Sequence, residues 1–172
     1  MNILTVAVEG KPAIEFTAIA WRVSCDAVEL IEIYHTFVKQ DVELMKKDGF
    51  GRKLVHGIPI KTVLRHGLTR AAIKEQLLIF HERYGNCPMF IREKKRLNSL
   101  RLKNFHFTQL TGDESSFDVM PDRLIDLCDS KNHRKKVKGY KSFFSCSLHN
   151  AFMLGTVYAN LHGLKVYDDL IV

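Results

Sequence analysis

The sequence has no apolar run of membrane-spanning length, so no helical membrane span is expected within it and no membrane is expected as a partner. Its opening, Met-Asn-Ile-Leu-Thr-Val, lacks the basic stretch and small-residue cleavage site of a secretory signal, and the expected location is intracellular. Paired cysteines are missing too. Cys25, Cys87, Cys128 and Cys146 lie far apart with no Cys-x-x-Cys, which favours free thiols or a single metal ligand over disulfides or a redox pair. Glycine (10) and proline (4) are modest, and there is no repeat and no long polar tract, so disordered and repeat architectures are set aside.

What is present fits one domain spanning residues 1–172, long enough to bury the core of a three-layer fold. The formal net charge is +7, and two runs carry much of it. One holds Arg92, Lys94, Lys95, Arg96, Arg101 and Lys103. The other holds Lys131, Arg134, Lys135, Lys136, Lys138 and Lys141, with His133 among them and no acid. Such runs suit a phosphate backbone, whose affinity comes largely from counterion release. A solvated helix face and a basic loop are the alternative, evenly weighed for the first run and outweighed for the second.

Periodicity organises the chain. Ile3 to Val8, Ile14 to Val23 and Val28 to Val38 predict three strands joined by short hairpin connections. A polar stretch with Gly49, Gly51 and Gly57 leads to Thr69, the expected N-cap of a helix over Arg70 to Tyr84 that Gly85-Asn86 stops. Pro88 to Arg92 predicts a strand, Lys94 to Asn104 a basic helix, Phe105 to Leu110 a strand, and Val119 to Cys128 a helix. A last helix should begin near Ser142 to Ser145 and stop at Gly163. The element order is that of an α/β, ribonuclease H-like fold, one of several α/β options: a mixed five-stranded sheet, three antiparallel strands then two parallel, flanked by helices.

Several phrases, in order, carry a family resemblance. Pro12-Ala13-Ile14-Glu15-Phe16, Tyr34-His35-Thr36-Phe37, Val55-His56-Gly57-Ile58-Pro59-Ile60 and Cys146-Ser147-Leu148-His149 resemble successive phrases of the Maelstrom domain. The stretches Pro88 to Leu102 and Leu124 to Leu127 also fit, so the resemblance covers most of the chain. It implies RNA binding in Piwi-interacting RNA and transposon silencing in the germline, with proteins of that pathway as partners. The implied location is perinuclear germ granules and the nucleus. The first strand begins at the initiator methionine, so a divergent member without the HMG box that often precedes this domain is expected.

The family's Glu, His, His, Cys, His and Cys set, part of which binds zinc, is matched by Glu15, His35, His56, Cys146 and His149, while the closing cysteine is absent. The resemblance therefore implies a zinc site with an incomplete ligand set of Glu15, His56, Cys146 and His149, His35 ranking below them. It requires Glu15 to lie against the start of the last helix, within reach of Cys146 and His149.

His66-Gly67-Leu68-Thr69 and His149-Asn150-Ala151-Phe152 also resemble phrases of DEDD-type exonucleases, which share this fold. Two-metal hydrolysis needs several carboxylates around two ions. Here the first-strand Asp-x-Glu reads Ala7-Val8-Glu9, and the later aspartate position is Leu154, which argues against that mechanism. The Maelstrom resemblance leaves open a metal-independent single-stranded RNA endoribonuclease. His66, His81, His106 and His133 are acid–base candidates by residue type alone, and none is singled out. A residual 3′–5′ exonuclease and a pure protein-interaction scaffold are the other readings.

Overall fold

Runs of apolar and β-branched side chains in the first third produce an antiparallel meander of β1 (Asn2–Glu9), β2 (Glu15–Val23) and β3 (Ala27–Phe37). The computed structural model describes residues 1–10, 13–39, 54–55, 58–111 and 147–167. Gly10 takes φ 94°, open to a residue without Cβ, and Ile14 N–H donates to the Glu9 carbonyl at 2.8 Å to close the first hairpin. At the second turn the Ser24 hydroxyl accepts from Ala27 N–H at 3.1 Å. The register pairs Glu9 with Glu15, Ala7 with Thr17 and Thr5 with Ile19.

Three short strands complete the sheet. β6 (Met89–Ile91) pairs parallel with β1, β7 (Phe107–Gln109) parallel with β6, and β8 (Lys165–Tyr167) parallel with β3. The order is β7-β6-β1-β2-β3-β8. β4 (Leu54–Val55) and β5 (Ile58–Pro59) form a separate small hairpin that enters α1 (Ile60–His66).

Both sheet faces are covered, which is why the central strands are apolar on both sides. Leu4, Val6, Val8, Phe16, Ala18 and Ala20 pack with Ile73, Leu77 and Phe80 of α2 (Arg70–Arg83). Ile3, Ala7, Ile19, Trp21, Val28 and Leu30 pack with Leu148, Ala151 and Phe152 of α3 (Ser147–Leu161). Helix, sheet and helix thus form three layers. The Trp21 indole N–H donates to Thr5 Oγ1 at 2.8 Å, and Gly155 of α3 lies so close that a Cβ there would overlap the indole.

The predicted start and stop of α2 hold. Thr69 accepts Ala72 N–H at 3.2 Å, and Gly85 (φ 77°) and Asn86 (φ 53°) end the helix, Asn86 N–H reaching the His81 carbonyl. Other expectations need correction. Among the described residues the sheet has six strands rather than five, because three residues at Lys165–Tyr167 are too few to show alternation. The basic helix is a 3-10 helix over Lys94–Leu100, ended by Arg101 in the left-handed region at φ 54°, and the following strand is only Phe107–Gln109. α1 was not expected. It puts Gly67-Leu68 beside the end of β3, where Leu68 N–H donates to the Phe37 carbonyl and Lys39 N–H to that of Leu68. The helix expected over Val119 to Cys128 lies outside the described residues, as does the expected start of the last helix. No helix among the described residues is long and apolar enough to cross a membrane.

Candidate functional site

β1 and β6 run side by side in parallel, and their carboxyl ends deliver Glu9 and Ile91 to the same edge of the sheet. In open α/β sheets this end is where ligands settle. Beyond Ile91 the chain continues as Arg92 and Glu93 into the 3-10 helix, whose first turn carries Arg96 back over Glu9. α3 adds Asn150 and Leu154 from the other side. A cleft of about 120 Å³ results, with Ala7 and Val8 also in its wall.

One buried carboxylate organises the cleft. Glu9 Oε1 accepts from Asn150 Nδ2 at 2.6 Å and Oε2 from Arg96 Nη1 at 3.2 Å. Arg96 Nε donates to Glu93 Oε2 at 3.2 Å, and Lys95 Nζ lies 3.4 Å from the same oxygen. Burial pushes the Glu9 carboxyl up. Arg96 and Asn150 pull it down without cancelling that push, and the charges of Glu15 and Glu93 add to it. Burial also raises Glu93, but the bond from Arg96 and the charges of Arg96 and Lys95 outweigh it and leave the group lowered.

The two positions where the sequence departs from a two-metal nuclease, Ala7 and Leu154, both line this cleft. Their methyl and isobutyl side chains can hold no cation, and the Glu9 carboxylate beside them is matched by a guanidinium. Among the described residues no three His, Cys, Asp or Glu side chains converge as a metal site requires.

A second polar cluster lies one strand over. Glu15 faces the start of α3, fully buried, with Oε2 accepting Ser147 N–H at 3.2 Å and Oε1 3.0 Å from His35 Nε2. The Ser147 and Thr17 hydroxyls share a hydrogen bond of 2.6 Å. Of the expected zinc ligands, Glu15 and His149 are buried, while His56 and Cys146 lie outside the described residues. His35, ranked lowest from sequence, lies within hydrogen-bond distance of Glu15.

Of the basic residues expected to contact nucleic acid, Arg92, Lys94 and Lys95 are exposed and Arg96 is half-buried in its ion pairs. Lys131, Arg134, Lys135, Lys136 and Lys138 lie outside the described residues. His66 closes α1, and His133 is not among the described residues. His81 and His106 line one larger groove of about 970 Å³ between α2 and the segments entering β6 and β7. His81 Nε2 lies 2.8 Å from the Cys87 carbonyl, so that nitrogen carries the proton and donates. Asn150 and Glu93 were not picked out as site residues from sequence. The position of Asn150 beside His149 in the exonuclease-like phrase was the available signal for it.

No family profile and no curated protein matches this sequence. Among solved structures it is similar to the exonuclease domain of Mopeia virus, described as partially complexed with manganese. The two share 16% sequence identity at a TM-score of 0.53, over 95% of this chain and 80% of that one. At that identity the likeness speaks for architecture alone: this chain has the ribonuclease H-like fold, a mixed α/β sheet flanked by helices, shared with a viral exonuclease domain.

Proposed function

We propose that this chain is a Maelstrom-like domain that binds single-stranded RNA in Piwi-interacting RNA silencing of the germline, without two-metal hydrolysis. The observation that carries the reading is the fate of Glu9: its carboxylate pairs with Arg96 and Asn150, and Ala7 and Leu154 fill the cleft beside it. The fold shared with a viral exonuclease domain supports a nucleic-acid strand as the ligand, and the pairing of Glu9 with Arg96 supports the absence of two-metal hydrolysis. The net charge of +7 and the exposed Arg92, which lines the cleft, with Lys94 and Lys95 after it in the chain, support binding to phosphates. Anisotropy of a labelled single-stranded RNA should show binding that weakens steeply with salt, and the RNA should stay intact with manganese. Manganese-dependent shortening from the 3′ end, lost in Glu9→Gln, would instead establish a residual exonuclease. A protein that binds no RNA at low salt would leave the scaffold reading.

One observation favours a second reading, metal-independent endoribonuclease activity: His81 and His106, two of the acid–base candidates, share one groove. Cuts in single-stranded RNA that persist with chelator and vanish in His81→Ala and His106→Ala would support it.

A zinc site built from Glu15, His56, Cys146 and His149 rests on the resemblance to the Maelstrom domain. The described residues alone do not complete such a site, and the Glu15 carboxylate is bonded to His35 and Ser147. Metal analysis of untagged protein tests it, with stoichiometric zinc lost in Cys146→Ser as the supporting result.

A further inference from the structure

The larger groove lies at the opposite end of the parallel strands from the Glu9 cleft. Asn86 to Met89 enter β6 there and Asn104 to His106 enter β7, while Lys74 and His81 of α2 form the facing wall. Its character is mixed in a particular way. Leu78, Met89 and Phe105 give an apolar floor, and Leu78 is 45% exposed although its helix neighbours Ile73, Leu77 and Phe80 are buried in the core. Around that floor stand the exposed side chains of Asn86, Asn104 and His106, which carry hydrogen-bond donors and acceptors but no fixed charge.

An apolar helix pressed into the groove would strip water from Asn86, Asn104 and His106 and offer nothing in return. A nucleobase meets both requirements, because its faces are apolar and its edge is lined with donors and acceptors. Within the lining Lys74 and Glu75 balance, so the groove carries no net fixed charge of its own and suits an uncharged base rather than a phosphate. We infer that this groove is a nucleobase-binding site, taking an unpaired base of single-stranded RNA against Leu78 and Phe105 with its edge towards Asn86, Asn104 and His106. The inference rests on the RNA-binding reading above and adds to it a contact with bases at a place remote from the cleft.

The test compares two labelled oligomers of equal length and charge by fluorescence anisotropy: a ten-nucleotide oligouridylate and a ten-residue abasic RNA backbone. The protein should bind the oligouridylate at least about tenfold more tightly, since one stacked base is worth that factor. Leu78→Glu and His106→Ala, both at exposed positions and checked for folding by circular dichroism, should bring the two affinities to within about twofold. Equal affinity in the unaltered protein overturns the inference. So does a tenfold gap that survives in both folded variants, the pattern expected if the groove serves a protein partner. Failure of both oligomers to bind defeats the RNA-binding reading itself, and the base site with it.

Discussion

Asn150 Nδ2 of α3 and Glu9 Oε1 of β1 meet at 2.6 Å, across 141 residues of sequence. The bond joins the helix to the one carboxylate at the end of the first strand. Burial dominates the titration of Glu9 and leaves its carboxyl above the ordinary range in spite of Arg96 and Asn150. The folded protein therefore holds a proton over a pH window in which the unfolded chain has released it, and stability falls as pH rises through that window. Glu9→Gln has no such proton to lose. Melting temperatures measured from acid to neutral pH should show the decline in the unaltered protein and a flatter profile in the variant. Parallel profiles would refute the assignment to Glu9.

Removing Arg96 should act in the same window with the opposite emphasis. Its guanidinium stabilises the Glu9 anion, so Arg96→Met drives the carboxyl further up and leaves a buried anion with Asn150 as its remaining partner in the cleft. The expected cost is about 1–3 kcal/mol at neutral pH, shrinking as Glu9 becomes protonated. Denaturant unfolding at two pH values checks it; a cost independent of pH would place the effect in packing instead.

Gly155 is tolerated in the middle of α3 because the Trp21 indole occupies the space a side chain would need. Alanine would gain about 1 kcal/mol of helix propensity. Against that stands an indole held by Thr5 and fully buried in the core. Overpacking of this kind costs about 1–3 kcal/mol and should win. Trp21 is the chain's single tryptophan, so Gly155→Ala should lower the melting temperature and shift the intrinsic emission together. A raised melting temperature would mean that helix propensity prevails.

Lys94 is exposed at the start of the 3-10 helix beside the cleft. If its charge meets a phosphate, Lys94→Ala should weaken single-stranded RNA binding and lower the slope of log affinity against log salt by about 0.7. An unchanged slope would move the strand's path away from this edge.

Much of the architecture was legible in the residues. The apolar run of β1, the alternation read in β2, the β-branched and aromatic content of β3, the Thr69 cap and the Gly85-Asn86 stop are local signals and needed no tertiary knowledge. β8 and the hairpin of β4 and β5 were not, because strands of two or three residues are made by their pairing partners. Ala7 and Leu154, read from sequence as standing at carboxylate positions of a two-metal nuclease, both line the cleft. Arg96 shows the limit. It reads as one more cation in a basic run, yet its guanidinium is engaged by a glutamate 87 residues away and another three residues before it. Which charges remain for a ligand is decided by long-range pairing, and no spacing rule exposes that.

The register of the first hairpin sets Glu9 and Glu15 opposite one another, and α3 contacts both: Asn150 reaches the former, and the backbone of Ser147 the latter. Two anchor points three residues apart fix the helix in rotation as well as in translation. A slip of a single residue would turn it by about 100° and advance it by about 1.5 Å, releasing both anchors at once. The terminal helix is therefore indexed on the sheet, and an alteration at either glutamate should be felt at the other through its seating.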